Sequence, residues 1–242
     1  MGDSKQQAYK NDFEKFLAHT NEKKILLSEI VSEIEKRQVK SMLDIGAGNG
    51  LLSIPLSKHV VEYLAVEPTD SFVETLKSAG LETIHGSFPM SIVKRFDMVL
   101  TSHSVSFLRD RVEAFVRSAF EHVNESGVLL IVTYSGKEGP WGELIRKLDQ
   151  EQSPIEFIEY KELLTLVETI GKVDVRKVKT TVETDTLEDM IDALTFIASN
   201  GIPELKAQFL MKKEQIVDFL GSYKKGTGYV FPFLHYFVVV SK

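Results

Sequence analysis

Three glycines stand at alternate positions, Gly46, Gly48 and Gly50, directly after an apolar run, Val39 to Ile45, that contains Asp44. Glycines so spaced let the backbone turn tightly and let a ligand approach the main chain where a Cβ would clash. The amphipathic segment from Leu51 onward reads as a helix, and the free N–H groups at a helix start offer donors to such a ligand. Seventeen residues after Gly50, Glu67 ends the next apolar run, in the stretch AVEPTD. A carboxylate there can accept hydrogen bonds from both hydroxyls of a ribose, as the acidic residue of a dinucleotide site does. The set suits a nucleoside-containing cofactor better than an empty glycine turn. Its spacing also separates cofactors, because a dinucleotide fingerprint runs G-x-G-x-x-G and Leu51 stands where the third glycine belongs.

Further along, two strand ends carry candidate groups. His85-Gly86-Ser87-Phe88 closes the third apolar run, where Ser87 can meet the base of a nucleoside and Phe88 either stacks on it or enters the core. The fourth run, FDMVLTSHSVSFL, ends in Ser102, His103 and Phe107, while Asp97 near its start reads as structural. An imidazole titrates near neutrality, so His103 can accept a proton or orient a substrate, or it can be a satisfied histidine at a helix start. The six histidines show neither H-x-x-x-H nor H-E-x-x-H spacing, and cysteine is absent, so no metal site is expected. Neither a G-x-S-x-G elbow nor a phosphate-binding P-loop occurs.

These residues need a scaffold of alternating strands and helices. The strands predicted are 39–45, 62–67, 81–85, 96–101 and 128–134, with helices at 51–59, 70–79 and 109–123. Such alternation implies a doubly wound, mostly parallel sheet with ligands at the carboxyl ends of its strands. Before it, residues 6–37 read as two helices, from Phe13, Phe16 and Leu17 and then Ile25, Leu26, Ile30, Val31 and Ile34, with a break at His19-Thr20-Asn21. After it, helices at 141–150, 160–170, 187–198 and 203–223 surround a strand at 173–182, and the chain closes on an aromatic, β-branched strand at 229–240. The expectation is one domain over 1–242, with a helical cap at 1–38, a cofactor-binding core at 39–134, and substrate-side helices with a closing β-hairpin at 135–242.

Composition narrows the partners. A net charge of −6 over 242 residues argues against a nucleic-acid footprint, which needs a basic face. The first ten residues lack the apolar core of a secretion signal, and no apolar run is long enough to span a bilayer, so the expected location is the cytoplasm, away from membranes.

The pattern D-x-G-x-G-x-G, from Asp44 to Gly50, resembles the first motif of class I S-adenosylmethionine-dependent methyltransferases. The resemblance implies a seven-stranded Rossmann-like sheet, S-adenosylmethionine as cofactor and S-adenosylhomocysteine as product. Asp44, Gly46, Gly48, Gly50, Glu67, Ser87, Phe88 and Ser102 then become the cofactor-side residues. A narrower similarity runs through Tyr9-x-x-x-Phe13-x-x-Phe16-Leu17-x-His19-Thr20-x-Glu22, Val66-Glu67-Pro68-Thr69, the end of the fourth strand, Ser135-Gly136 and Trp141. That set is similar to histamine N-methyltransferases. It implies a small-molecule acceptor, with Glu22 holding its polar end and Tyr9, Phe13, Phe107 and Trp141 walling the pocket. A carboxylate among aromatic faces suits a small cationic or aromatic amine. Four positions depart from the family: His103 and Phe72 each stand in place of a glutamine, Ser106 in place of a tyrosine and Phe233 in place of an asparagine. The implied activity is N-methylation of an imidazole or another small amine, with Glu22 and His103 as the catalytic pair. The alternatives are O- or C-methylation of a small aromatic, a non-catalytic module that binds the cofactor, and a nicotinamide-dependent oxidoreductase, which Leu51 disfavours.

Overall fold

In the computed structural model residues 3–105, 108, 111–148, 160–199 and 203–242 are described, with side chains from residue 11 onward. The chain forms two compact units. The first comprises Met1–Glu22, Gly136–Glu156 and Lys179–Leu234, and the second Lys23–Ser135, Phe157–Val178 and His235–Lys242. The first boundary falls after Glu22 and not after residue 38, the next falls after Ser135, one residue past the expected 134, and Phe157–Val178 and His235–Lys242 return to the second unit. Leu26, Ile30 and Ile34 of the second N-terminal helix bury against the sheet of the second unit, so that helix groups with the sheet and not with its predecessor.

The strands are β1 (Ser41–Ile45), β2 (Glu62–Glu67), β3 (Glu82–His85), β4 (Phe96–Ser102), β5 (Val123–Tyr134), β6 (Lys172–Thr184), β7 (Lys224–Lys225) and β8 (Gly228–Ser241). Their order is β3-β2-β1-β4-β5-β8-β6, with β7 paired to β8. The pairs β1·β2, β1·β4, β2·β3 and β4·β5 are parallel. Strand β8 is antiparallel to β5, with a register from Val128↔Ser241 to Tyr134↔His235. This is the doubly wound, Rossmann-like sheet expected, plus an eighth strand of two residues. The tight turn at Gly226 (φ 62°) joins β7 to β8, and so short a strand carries no alternation to read.

The helices are α1 (Asp3–His19), α2 (Glu22–Arg37), α3 (Ser53–Leu56), α4 (Asp70–Ser78), α5 (Val112–Glu121), α6 (Gly139–Lys147), α7 (Tyr160–Val167), α8 (Leu187–Ser199), α9 (Pro203–Leu210) and α10 (Lys213–Leu220). The helix predicted over 51–59 is one α turn followed by a 3-10 turn at Ser57–His59, and the one predicted over 203–223 is divided between α9 and α10. Among the described residues no helix is long and apolar enough to cross a membrane.

Alternation along the strands builds two cores in the second unit, since successive side chains point to opposite faces. Met42, Ala65, Met98, Leu100 and Leu130 face α2 on one side. Leu43, Leu64, Val66, Val99 and Ile131 face Phe115 and Val116 of α5 and Leu163 of α7 on the other. The first unit has its own aromatic core, in which Phe16, Trp141, Phe196, Phe209, Phe231 and Phe233 are buried. Within that unit the break between α1 and α2 is an element in its own right. Thr20 bridges Val182 in antiparallel fashion, and the Asn21 side chain accepts from the Thr181 N–H (2.8 Å) and donates to the Thr181 hydroxyl (2.8 Å). The Thr20 hydroxyl accepts from the N–H of Glu22 (3.1 Å), capping the start of α2.

Candidate active site

In the second unit the glycine loop leaves β1 in left-handed backbone, with φ of 80° at Gly46 and 59° at Gly48. Two glycines serve different ends here. A Cβ on Gly46 would lie 2.2 Å from the Ser104 hydroxyl, so its absence admits the segment that follows β4. A Cβ on Gly48 would meet no atom within 4 Å, which leaves an open cradle over the loop. The Gly48 N–H donates to Oε2 of Glu67 (2.8 Å), and Oε1 of the same carboxylate accepts from the N–H of Thr69 (2.9 Å). Glu67 is buried, and its carbonyl accepts from Gly86 N–H (3.1 Å), so the ends of β2 and β3 are tied at the carboxylate.

Asp44 turns inward. Only 2% exposed, its Oδ2 accepts from the hydroxyls of Ser53 (2.6 Å) and Tyr63 (2.5 Å). Ser53 also donates to the Ala47 carbonyl (3.1 Å), so Asp44 braces the loop from behind through the first residue of α3. Burial raises the pKa of Asp44 against the two hydrogen bonds that lower it, and the charge of Glu67 adds to the rise. Burial likewise pushes the Tyr63 phenol well above its ordinary value. Spacing gave no sign of Ser53 or Tyr63 as partners of Asp44, because Tyr63 is brought there by the β1·β2 pairing and Ser53 by the turn of the loop into α3.

The other cofactor-side residues divide. Ser87 is exposed. Phe88 is half-buried, edge-on to Phe115 (5.2 Å between ring centres) and packed on the core face, where it acts as core more than as platform. Ser102 ends β4 with its hydroxyl buried and without a hydrogen-bond partner among the described residues. An orphaned buried hydroxyl is costly, and beside a bare glycine cradle it fits a polar ligand such as the nucleoside cofactor expected there.

His103 follows in left-handed backbone (φ 61°), its N–H donating to the Val132 carbonyl (2.8 Å). Its ring lies 5.6 Å from that of Tyr134 and 5.2 Å from that of His235, centre to centre. Ser104 donates to the Ile45 carbonyl (3.2 Å), joining the end of β4 to the glycine loop. Neither Ser104 nor His235 stood out in the sequence reading, although a histidine within the apolar run of β8 was a visible signal.

In the first unit Glu22 opens α2, half-buried. The ring of Phe13 lies 5.6 Å from that of Phe196. Trp141, 4% exposed, packs on Phe209 and Phe233 within the core. Tyr9 lies in α1 with its side chain outside the described atoms, and Phe107 falls outside the described residues.

A methyltransferase domain model matches residues 14–172. The ribosomal protein L11 methyltransferase of Helicobacter pylori is 33% identical over 112 residues, which are 42% of this chain and 33% of that protein, so the chain spans about a third of that relative's length. Among solved structures, a putative methyltransferase from Bacillus halodurans superposes with a TM-score of 0.59 at 16% identity, over 86% of this chain and 97% of that one. A possible histamine N-methyltransferase from Thermotoga maritima gives 0.53 at 13% identity, over 91% of each chain. At such identities these structures speak for the fold alone. The domain match takes in the glycine loop, Glu67 and the end of β4 and covers more than half of the sequence, and on that extent the chain belongs to the methyltransferase domain family.

Proposed function

We propose that the protein is a cytoplasmic, S-adenosylmethionine-dependent methyltransferase that N-methylates an imidazole or another small amine. The observation that carries the cofactor reading is the Glu67 carboxylate, held by Gly48 and Thr69 N–H groups over an open glycine cradle. A ribose diol can share that carboxylate, and Ser102 supplies a hydroxyl in need of a partner. When bound, S-adenosylmethionine supplies a methyl group activated on a positively charged sulfur.

The chain's own residues have simpler tasks. Glu22 pairs with the cationic end of the acceptor, and Tyr9, Phe13 and Phe107 supply aromatic faces around it, with Trp141 behind them in the core, roles that rest on the family resemblance. His103 orients the attacking nitrogen or takes the proton it sheds once methylated. A neutral amine nitrogen already has its lone pair, so the rate comes chiefly from holding it in line and excluding water.

The test is a radiolabelled methyl-transfer screen with imidazole amines, other biogenic amines and phenols, run with Glu22→Gln alongside. Amines should be methylated, with KM roughly tenfold higher or more in the variant, as expected for loss of a charge-assisted contact. Methylation confined to phenols would replace N- with O-transfer. Amine methylation with an unchanged KM in Glu22→Gln would remove Glu22 from the acceptor's binding.

A further inference from the structure

Strand β8 buries an apolar series, Phe231, Phe233, Tyr236, Phe237, Val238, Val239 and Val240, and among them His235, 2% exposed. Burying an imidazole costs free energy that a phenyl ring of similar shape would not, so its presence on this strand calls for a role. Its surroundings supply one. His235 stands opposite Tyr134 in the β5·β8 register, and its ring meets that of His103 edge to face, 5.2 Å between centres at 68°. One ring nitrogen of each histidine lies within 4.8 Å of the other.

His103 itself is set in an unusual way. Its left-handed φ of 61° is rare for a residue with a Cβ. The turn is held on both sides, by its own N–H on the Val132 carbonyl (2.8 Å) and by Ser104 on the Ile45 carbonyl (3.2 Å). With the backbone so fixed, the remaining freedom of His103 is rotation of its side chain, and the rings of Tyr134 and His235 limit it. Of the two, His235 brings a ring nitrogen within 4.8 Å of a ring nitrogen of His103, so a polar atom of its own ring faces the imidazole.

We propose that His235 is a positioning residue for His103: its ring limits the plane in which the His103 imidazole is presented to the acceptor, and the dipole of its nearby ring nitrogens biases the His103 tautomer. The proposal rests on the reading of His103 as an acceptor-facing group.

Two variants test it, His235→Phe, which keeps a ring and removes the nitrogens, and His235→Asn, which keeps polarity in a smaller side chain. For each, kcat and KM for a methylated amine and the Kd for S-adenosylhomocysteine are measured, alone and in a His103→Ala background. Imidazole 15N spectra of His103 are recorded at one fixed pH in the wild type and in His235→Phe. The expected result is a kcat about tenfold lower in His235→Phe, S-adenosylhomocysteine affinity within about twofold, no further loss in the His103→Ala background, and shifted His103 nitrogen signals. Unchanged kcat together with unchanged His103 signals would overturn the proposal. So would an equal loss in both backgrounds, which would make His235 independent of His103, or a parallel loss of cofactor affinity, which would make it structural. If no acceptor is methylated, the functional reading fails by itself and the 15N spectra alone decide whether His235 sets the state of His103.

Discussion

At the scale of single residues, two carboxylates near the glycine loop do opposite work. Glu67 faces backbone N–H groups with both oxygens. A glutamine there keeps one acceptor and turns an NH2 group toward the other donor. Glu67→Gln should therefore weaken S-adenosylhomocysteine binding by roughly tenfold or more, read by calorimetry; an unchanged Kd would remove Glu67 from ribose recognition. Asp44 is instead a brace, accepting from Ser53 and Tyr63 out of contact with solvent. Burial lifts its pKa above the ordinary 3.8. The folded state then keeps the proton to higher pH than the unfolded chain does. The stability this group contributes is complete below 3.8 and is lost as pH rises through the folded pKa. The urea-unfolding free energy of Asp44→Asn relative to wild type should thus improve as pH rises above 3.8, and a pH-independent difference would count against it. Asp44→Ala should cost about 1–3 kcal/mol by leaving the two hydroxyls without their acceptor.

Elements are joined at both ends of the sheet by polar contacts of this kind. At its amino end Asp97 of β4 accepts from the N–H groups of Lys40 (3.0 Å), just before β1, and Ser41 (2.9 Å), its first residue, and from the Asn124 amide (2.9 Å) on β5. Partial burial raises its pKa, but the hydrogen bonds from Asn124, Lys40 and Ser41 outweigh it and hold the group below its ordinary value. The sign is opposite to that of Asp44. The contribution of Asp97 is present above the unfolded pKa and is lost as pH falls through the folded one. Asp97→Ala should cost about 1–3 kcal/mol near neutrality, less at about pH 3, by urea unfolding. An undiminished penalty in acid would show that charge is not the source. At the carboxyl end Gly46 and Ser104 play the joining part, and His103 sits between β4 and that contact in a conformation that costs about 1–3 kcal/mol for a residue of its type.

For the whole molecule the family assignment makes a thermodynamic prediction. A ligand that binds only the folded state stabilises it by about 2.7 kcal/mol at a hundredfold excess over its Kd. S-adenosylhomocysteine at that excess should shift urea unfolding of the full chain by this amount, while NADH at the same concentration should leave it in place. A shift with NADH alone would reverse the cofactor assignment.

Local chemistry in the sequence already determined a good deal. Glycines at alternate positions after an apolar run dictated a strand and a tight turn, Leu51 spoke against a dinucleotide, and two periodicities marked the strands and helices within a few residues. All of these depend on neighbours in the chain. What only the tertiary structure decided is which distant side chains meet. Asp44 turned from the loop toward Ser53 and Tyr63, Trp141 went into an aromatic core, and α2 went with the sheet while α1 went with the other unit. His235, a lone histidine on an apolar strand, came to rest against His103. Such meetings follow from strand register and from which face of an element is buried, and both are set by packing summed over the fold, which no short stretch of residues carries.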